Sequence, residues 1–341
     1  MQTLNFQAEP FKPHPLMKNA NIQTLSGEYF RKLSPHPPFR RVRLTTPDDD
    51  FIDVDFADVE GYSWQDLGDS APILYFLHGL EGDARRGYAV DLYHSAAKAG
   101  FRCVSINYRS CSGEMNRQAR FYHMGATEDV DFVLQYLLDT FPNVPIVMVG
   151  VSLGANMLLK YFGECGESLS ERILAGVAIS PPFVATGTQK ISDDRIGRLY
   201  GGHLLSKLQV KVRLKADELY QTKADPYRAL KASTLREFDD AITAPLHGFD
   251  DAHDYYNRSN SINFLPTIQR PTLLLRAEDD PFFNHDIPHD LIAENPYLYP
   301  AFTEHGGHVG FIEGYTPFNY DNWAQRQALR FFELVFASIG R

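Results

Sequence analysis

The sequence predicts an α/β fold, a mostly parallel central sheet flanked by helices, with an inserted helical lid and a preceding N-terminal arm. Three observations carry that expectation. Short apolar runs alternate with helix-like stretches from Ile73 onward, the pattern of crossover connections feeding parallel strands. Gly150-Val151-Ser152-Leu153-Gly154 joins the apolar run Ile146-Val147-Met148-Val149 to a helix-like segment beginning at Ala155. Between Ile179 and Thr272 lie about 90 residues, far more than the roughly 10 to 15 of a plain crossover, so an insertion is expected there.

Each element follows from its local pattern. Residues 1–40 carry Pro10, Pro13, Pro15, Pro35, Pro37 and Pro38, which favour an extended arm with little helix. Residues 41–45 and 51–56 alternate in polarity around Pro47-Asp48-Asp49-Asp50 and read as an antiparallel hairpin. Core strands are expected at 73–77, 103–107, 146–149, 176–179, 272–275 and 299–303. Val130, Val133, Leu134, Leu137, Leu138 and Phe141 recur at helical spacing, with Glu128 and Asp129 in a dipole-favoured first turn. Ala324, Ala328, Phe331, Phe332, Val335 and Ile339 repeat the pattern near the end. The expected organisation is therefore an arm over 1–40, a core over 41–180 and 262–341, and a lid over 181–261, above the carboxyl ends of the strands.

Composition narrows the function classes. The 341 residues are 44% hydrophobic and 22% charged, with 24 Phe and 18 Tyr, as in a compact globular chain. A net charge of -10 disfavours nucleic acid as a partner, because phosphate binding needs a basic surface. Cys103, Cys111 and Cys165 are too few and scattered for a disulfide framework and are expected as buried apolar thiols in a reducing compartment. No apolar run reaches the roughly 18 residues of a membrane span. The start, Met1-Gln2-Thr3-Leu4-Asn5-Phe6-Gln7, has neither the basic nor the apolar part of a secretory signal, so a cytoplasmic location is expected. Peripheral membrane contact stays open, and the oligomeric state is not set by these features.

The chemistry centres on Ser152. A G-x-S-x-G pentapeptide arises by composition in about one chain of this length in ten, so its strand and helix context carries the weight. In that context the serine sits on a tight strand-to-helix turn that exposes its hydroxyl. A serine needs a base, and the base an acid to orient it. Glu304-His305-Gly306-Gly307-His308 follows the last core strand, and His308 is the expected base, its glycines freeing the backbone to place the ring. His305, nearer the strand, reads as structural. Ala277-Glu278-Asp279-Asp280-Pro281 follows the preceding strand. Asp280 is the expected acid from its spacing to the small Ala277, with Asp279 and Glu278 as alternatives. Backbone N–H groups of Leu80, in His78-Gly79-Leu80-Glu81-Gly82, and of Leu153 are the expected oxyanion donors. His78 is expected to hold that turn.

Other clusters read differently. His247, Asp250, Asp251, His253 and Asp254 lack a metal-ligand spacing, so no metal is expected. Lys207, Lys211, Arg213 and Lys215 read as a solvated basic face of the lid. No phosphate-cradling glycine loop is present, so nucleotide chemistry is unsupported.

With these residues placed, the chain resembles the alpha/beta-hydrolase superfamily, and within it the YheT/EMB8 branch with its ABHD1 to ABHD3 relatives. The resemblance covers nearly the whole chain. It rests on Asn19-Ala20-Asn21-Ile22-Gln23-Thr24-Leu25, the turn 78–82, the stretch from Asn107-Tyr108-Arg109-Ser110-Cys111-Ser112-Gly113-Glu114 to Arg117, and Phe121-Tyr122-His123. It continues through 150–154, Gly248-Phe249 with Asp254-Tyr255-Tyr256, Asp279-Asp280-Pro281-Phe282 and Gly306-Gly307-His308. One departure is Tyr108-Arg109-Ser110, where relatives commonly have Arg-Gly. The resemblance implies an alpha/beta-hydrolase fold, nucleophile, acid and base roles for Ser152, Asp280 and His308, and cofactor-free hydrolysis of a small-molecule carboxylic ester. Small to medium-chain esters are the first expectation. The alternatives are a lipid or acylglycerol hydrolase, a thioesterase or an acyltransferase with the same three residues, and a hydrolase-shaped binding protein without turnover.

Overall fold

A computed structural model describes residues 4–31, 35–186, 195–283, 287–316 and 318–340. Parts of the expected arm (1–3 and 32–34), lid (187–194) and core (284–286, 317 and 341) lie outside them.

Eight strands form one sheet: β1 Phe39–Thr45, β2 Phe51–Ala57, β3 Ile73–Leu77, β4 Arg102–Asn107, β5 Ile146–Val151, β6 Ile173–Ile179, β7 Thr272–Ala277 and β8 Leu298–Thr303. Their spatial order is β1-β2-β4-β3-β5-β6-β7-β8. β2 runs antiparallel to both β1 and β4, as the hairpin pattern predicts, and the pairings from β4 through β8 are parallel. The central strands are covered on both faces, which is why they read as unbroken apolar runs instead of alternating ones. Within β3, Ile73, Tyr75 and Leu77 join one core layer, and Leu74 and Phe76 join the other.

Helices fill the two layers. α1 spans Ala20–Arg31, α2 Gly87–Lys98, α3 Thr127–Thr140, α4 Leu153–Cys165, α5 Arg195–Leu214, α6 Ala252–Ser259 and α7 Trp323–Ser338; shorter turns link them. α3 and α4 pack Val130, Leu134, Leu137, Leu158 and Phe162 on one side of the sheet. On the other side lie Ala89, Leu92 and Tyr93 of α2 with Phe331, Phe332 and Val335 of α7. Each such large side chain contributes about 1.5–3 kcal/mol by leaving water.

Two expectations need correction. The N-terminal region is not an extended arm with little helix, because α1 gives it three turns of helix. Its prolines flank that segment, and none falls between residues 16 and 34. The basic residues of the segment between β6 and β7 do not form one solvated face either. Lys211 Nζ lies 2.6 Å from Glu81 Oε1 and 3.3 Å from Cys111 Sγ, and the buried Lys215 ammonium donates to the Gln118 carbonyl oxygen. Arg213 does face solvent. Of the thiols, Cys103 is buried, whereas Cys111 and Cys165 are half-buried; burial raises the Cys111 thiol to about 11 against the opposing pull of Lys211.

The stretch 107–117 has a structural explanation. The Arg109 guanidinium bonds Asp129 through Nε at 2.8 Å, and its Nη1 reaches Asp48 at 2.8 Å and Asp50 at 2.9 Å. It thereby ties the β1–β2 turn to β4 and α3. Ser110 holds a left-handed backbone, φ 62°, a conformation that favours glycine. Its hydroxyl donates to Asn116 Oδ1 at 2.5 Å and accepts from Asn116 N–H at 3.1 Å, local bonds that offset the strain.

Candidate active site

Ser152 lies between the end of β5 and the start of α4, with φ 54° and ψ -118°. That backbone is costly for any side-chain-bearing residue and persists only where its surroundings enforce it. The flanking glycines are that enforcement. A Cβ on Gly150 would lie 2.3 Å from the Gly154 carbonyl oxygen, and one on Gly154 would lie 2.2 Å from that of Leu77. Nothing larger fits, so the G-x-S-x-G spacing is a packing requirement of the turn.

His308 sits in the loop after β8. Its Nε2 is 2.9 Å from Ser152 Oγ, and its Nδ1 is 2.7 Å from Asp280 Oδ2. A carboxylate only accepts, so Nδ1 carries the proton and Nε2 presents a lone pair to the serine hydroxyl. The geometry brings together three side chains that are 128 and 28 residues apart in sequence, at the ends of β5, β7 and β8. Carboxyl ends of strands are where open sheets of this kind take ligands.

Asp280 is fully buried. Burial alone would raise its carboxyl, but the electrostatic pull of His308 and the Arg276 guanidinium and the hydrogen bonds from His308 and Phe282 N–H hold it below the ordinary value. Asp279, the alternative acid, points elsewhere: its Oδ1 accepts the Gly307 N–H at 2.8 Å, and Oδ2 is 3.5 Å from His305 Nδ1. Burial raises its carboxyl. Glu278 follows β7, its N–H bonded to the Thr303 carbonyl oxygen.

The turn after β3 abuts the serine, since a Cβ on Gly79 would lie 3.4 Å from Ser152 Cβ. Leu80 is the next residue of that turn. Leu153 opens α4, and the first N–H groups of a helix have no intrahelical acceptor. Glu81 keeps φ 53° with its N–H bonded to the Tyr122 hydroxyl at 2.7 Å, which fixes the turn from outside. His78 is fully buried and lowered to about 3 by burial, hence neutral. Its Nδ1 bonds the Gly79 carbonyl oxygen at 2.8 Å, and its Nε2 accepts the Tyr108 N–H at 3.2 Å, so it braces the turn as expected.

In the segment between β6 and β7, His247 and Asp251 make structural contacts. The His247 ring packs against that of His123 in a tilted arrangement, centroids 4.3 Å apart, and Asp251 caps α6 by accepting the Asp254 N–H at 2.8 Å. Among the described residues no group of three or more His, Cys, Asp or Glu is arranged to hold a metal ion.

Two supports of the site were not identified from the sequence. Arg276 is fully buried, with Nε 3.5 Å from Asp280 Oδ2 and its two terminal nitrogens donating to the Pro181 and Phe283 carbonyl oxygens. The available signal was a charged residue inside the apolar run of β7. Ser180, with φ 50°, accepts the Val309 N–H at 3.1 Å. Nothing in its sequence neighbourhood marks it.

Comparison with known proteins agrees with this architecture. The family described as alpha/beta hydrolase fold matches residues 72–315. YheT of Escherichia coli (strain K12) is 36% identical over 308 residues, 89% of this chain and 87% of that protein. Phospholipase ABHD3 of Homo sapiens is 28% identical over 82% of this chain and 69% of its own length. Monoacylglycerol lipase of Saccharomyces cerevisiae is 31% identical over 80% of this chain and 59% of its own. Among solved structures, the Pyrococcus furiosus esterase Pf2001 superposes with a TM-score of 0.53 at 17% identity, covering 87% of this chain and 92% of that one, a likeness of fold. The chain belongs to the alpha/beta-hydrolase fold family, in the branch that holds YheT, EMB8 and the ABHD proteins.

Proposed function

We propose that the chain is a serine carboxylic-ester hydrolase. His308 takes the proton from Ser152 as its oxygen attacks the ester carbonyl, and Asp280 holds the ring and stabilises the imidazolium. The Leu80 and Leu153 amides donate to the oxyanion, each worth roughly 3–4 kcal/mol of barrier. The alcohol leaves with the proton that His308 returns, giving an acyl-enzyme, and water activated by the same ring releases the acid. No cofactor takes part. The observation that carries the reading is the continuous pair of hydrogen bonds, 2.9 Å and 2.7 Å, through one imidazole.

In this proposal the segment 181–261, the insertion between β6 and β7, acts as a lid, and the substrate is a small molecule. The cytoplasm remains the proposed location. Lipid or acylglycerol esters form a second reading, favoured by the names of Phospholipase ABHD3 and the yeast monoacylglycerol lipase among the relatives. A graded series of p-nitrophenyl esters, with mono- and diacylglycerol and phospholipid beside it, separates the two. Ser152→Ala is expected to lower ester hydrolysis by roughly 10³-fold or more. Equal activity of variant and wild type would reject the assignment.

A further inference from the structure

The His308 loop holds several left-handed backbone angles, two of them at residues other than glycine. Gly306 has φ 147°, Gly307 59°, Val309 62° and Phe311 51°. For a β-branched valine such a φ is a true outlier, and strain of this kind survives only where neighbours over-determine the chain. Those neighbours come in part from α1, at the other end of the sequence.

Thr24 Oγ1 accepts the His308 N–H at 2.9 Å while donating its own proton to the Ala20 carbonyl oxygen at 2.8 Å. Arg31 donates through Nη1 to the Val309 carbonyl oxygen at 2.8 Å and through Nη2 to that of Gly310 at 2.7 Å. Gln23 closes a reciprocal pair, its Oε1 accepting the Ile312 N–H at 2.8 Å and its Nε2 donating to the Ile312 carbonyl oxygen at 3.0 Å. Gln23 and Arg31 are buried, and Thr24 nearly so. The fit is close in backbone as well: a Cβ on Gly307 would lie 2.3 Å from the Ala20 carbonyl oxygen, and one on Gly310 would lie 2.7 Å from that of Gln23.

We propose that Gln23, Thr24 and Arg31 are positioning residues for the reaction, a clamp from α1 that holds the His308 backbone where its ring spans Ser152 and Asp280. The inference rests on the reading of His308 as the base. Every polar backbone group at 308–310 and 312 that the clamp touches would lose a buried partner without it, which is a larger disturbance than losing one surface bond. Displacement of a general base by a fraction of an ångström acts on turnover more than on substrate capture.

The test compares Thr24→Val, which keeps shape but removes the acceptor, with Thr24→Ser, which restores it, and adds Arg31→Met. Circular dichroism and thermal melting check the fold of each. Should Arg31→Met not fold, Arg31→Lys, which keeps the charge on a single donor nitrogen, probes the same carbonyls. The readouts are kcat and KM on a p-nitrophenyl ester, and the low-field proton resonance of the His308–Asp280 hydrogen bond, assigned by its loss in His308→Ala. Thr24→Val and Arg31→Met are expected to lower kcat roughly tenfold or more, with KM within about twofold, and to shift or broaden the resonance; Thr24→Ser is expected to resemble wild type. Wild-type kcat and an unmoved resonance in both Thr24→Val and Arg31→Met would overturn the clamp while leaving Ser152-dependent hydrolysis intact. Ester hydrolysis that survives Ser152→Ala would instead remove the functional reading, and the resonance would still judge the clamp.

Discussion

Asp279 and Asp280 are adjacent, both carboxylates, and displaced in opposite directions. Burial raises Asp279, whereas Asp280, though wholly enclosed, is held low by His308 and Arg276. Neighbours set the difference: both carboxylates meet the loop after β8, but Asp280 reaches the His308 ring whereas Asp279 is taken up by the Gly307 N–H and His305. Asp280→Asn is expected to lower kcat by about 10⁴, through loss of the ring's tautomer and orientation, and Asp279→Asn far less. Steady-state kinetics of both variants check this, and a severe Asp279→Asn beside a mild Asp280→Asn would reverse the assignment. Because folding lowers the Asp280 value, its contribution to stability is present above the unfolded value and is lost as pH falls through the folded one. Asp280→Asn should therefore flatten that part of the acid limb in melting experiments. Arg276, which holds the same carboxylate, was hidden from sequence reasoning because a buried cation inside a strand is recognisable only once its partners are placed.

At the scale of elements, glycine positions separate close packing from mere flexibility. Gly154→Ala would drive a methyl group to within 2.2 Å of the Leu77 carbonyl oxygen, a backbone atom that cannot turn aside. The expected result is a loss of at least about 1–3 kcal/mol, seen as a lower melting temperature, together with displaced oxyanion donors. Gly202→Ala in α5 meets nothing within 4 Å and is expected to be neutral or stabilising by up to about 1 kcal/mol. Thermal melts of the two variants side by side check both, and a Gly154→Ala protein as stable as wild type would contradict the packing account. Elements were legible where one pattern dominated, as in the apolar strands, α3, α7 and the β1–β2 hairpin. α1 was not, since surrounding prolines masked a proline-free window. Nor was the inward side of α5, because a run of charged residues does not state which of them the helix turns toward Glu81 and Cys111.

Across the whole molecule, the sheet order places distant parts of the chain at one end. Parallel strands put successive loops on the same edge, so the turns after β3, β5, β7 and β8 converge there without any local instruction. The sequence therefore carried the candidate site's three side chains and its fold. Thr24 of the brace from α1 lies 284 residues from His308, and the brace depends on tertiary contact, which no local pattern records. β9 Ile312–Thr316 and β10 Asn319–Asn322, a separate antiparallel pair, were also unforeseen, having little apolar alternation to announce them. The central claim is that Ser152 itself receives the acyl group. Acid-quenching the protein during turnover of a p-nitrophenyl ester, followed by peptide mass spectrometry, tests it directly. One acyl mass on the peptide bearing Ser152, absent from Ser152→Ala, is the predicted result; turnover with the acyl group on another residue, or on none under conditions of burst release, would contradict it.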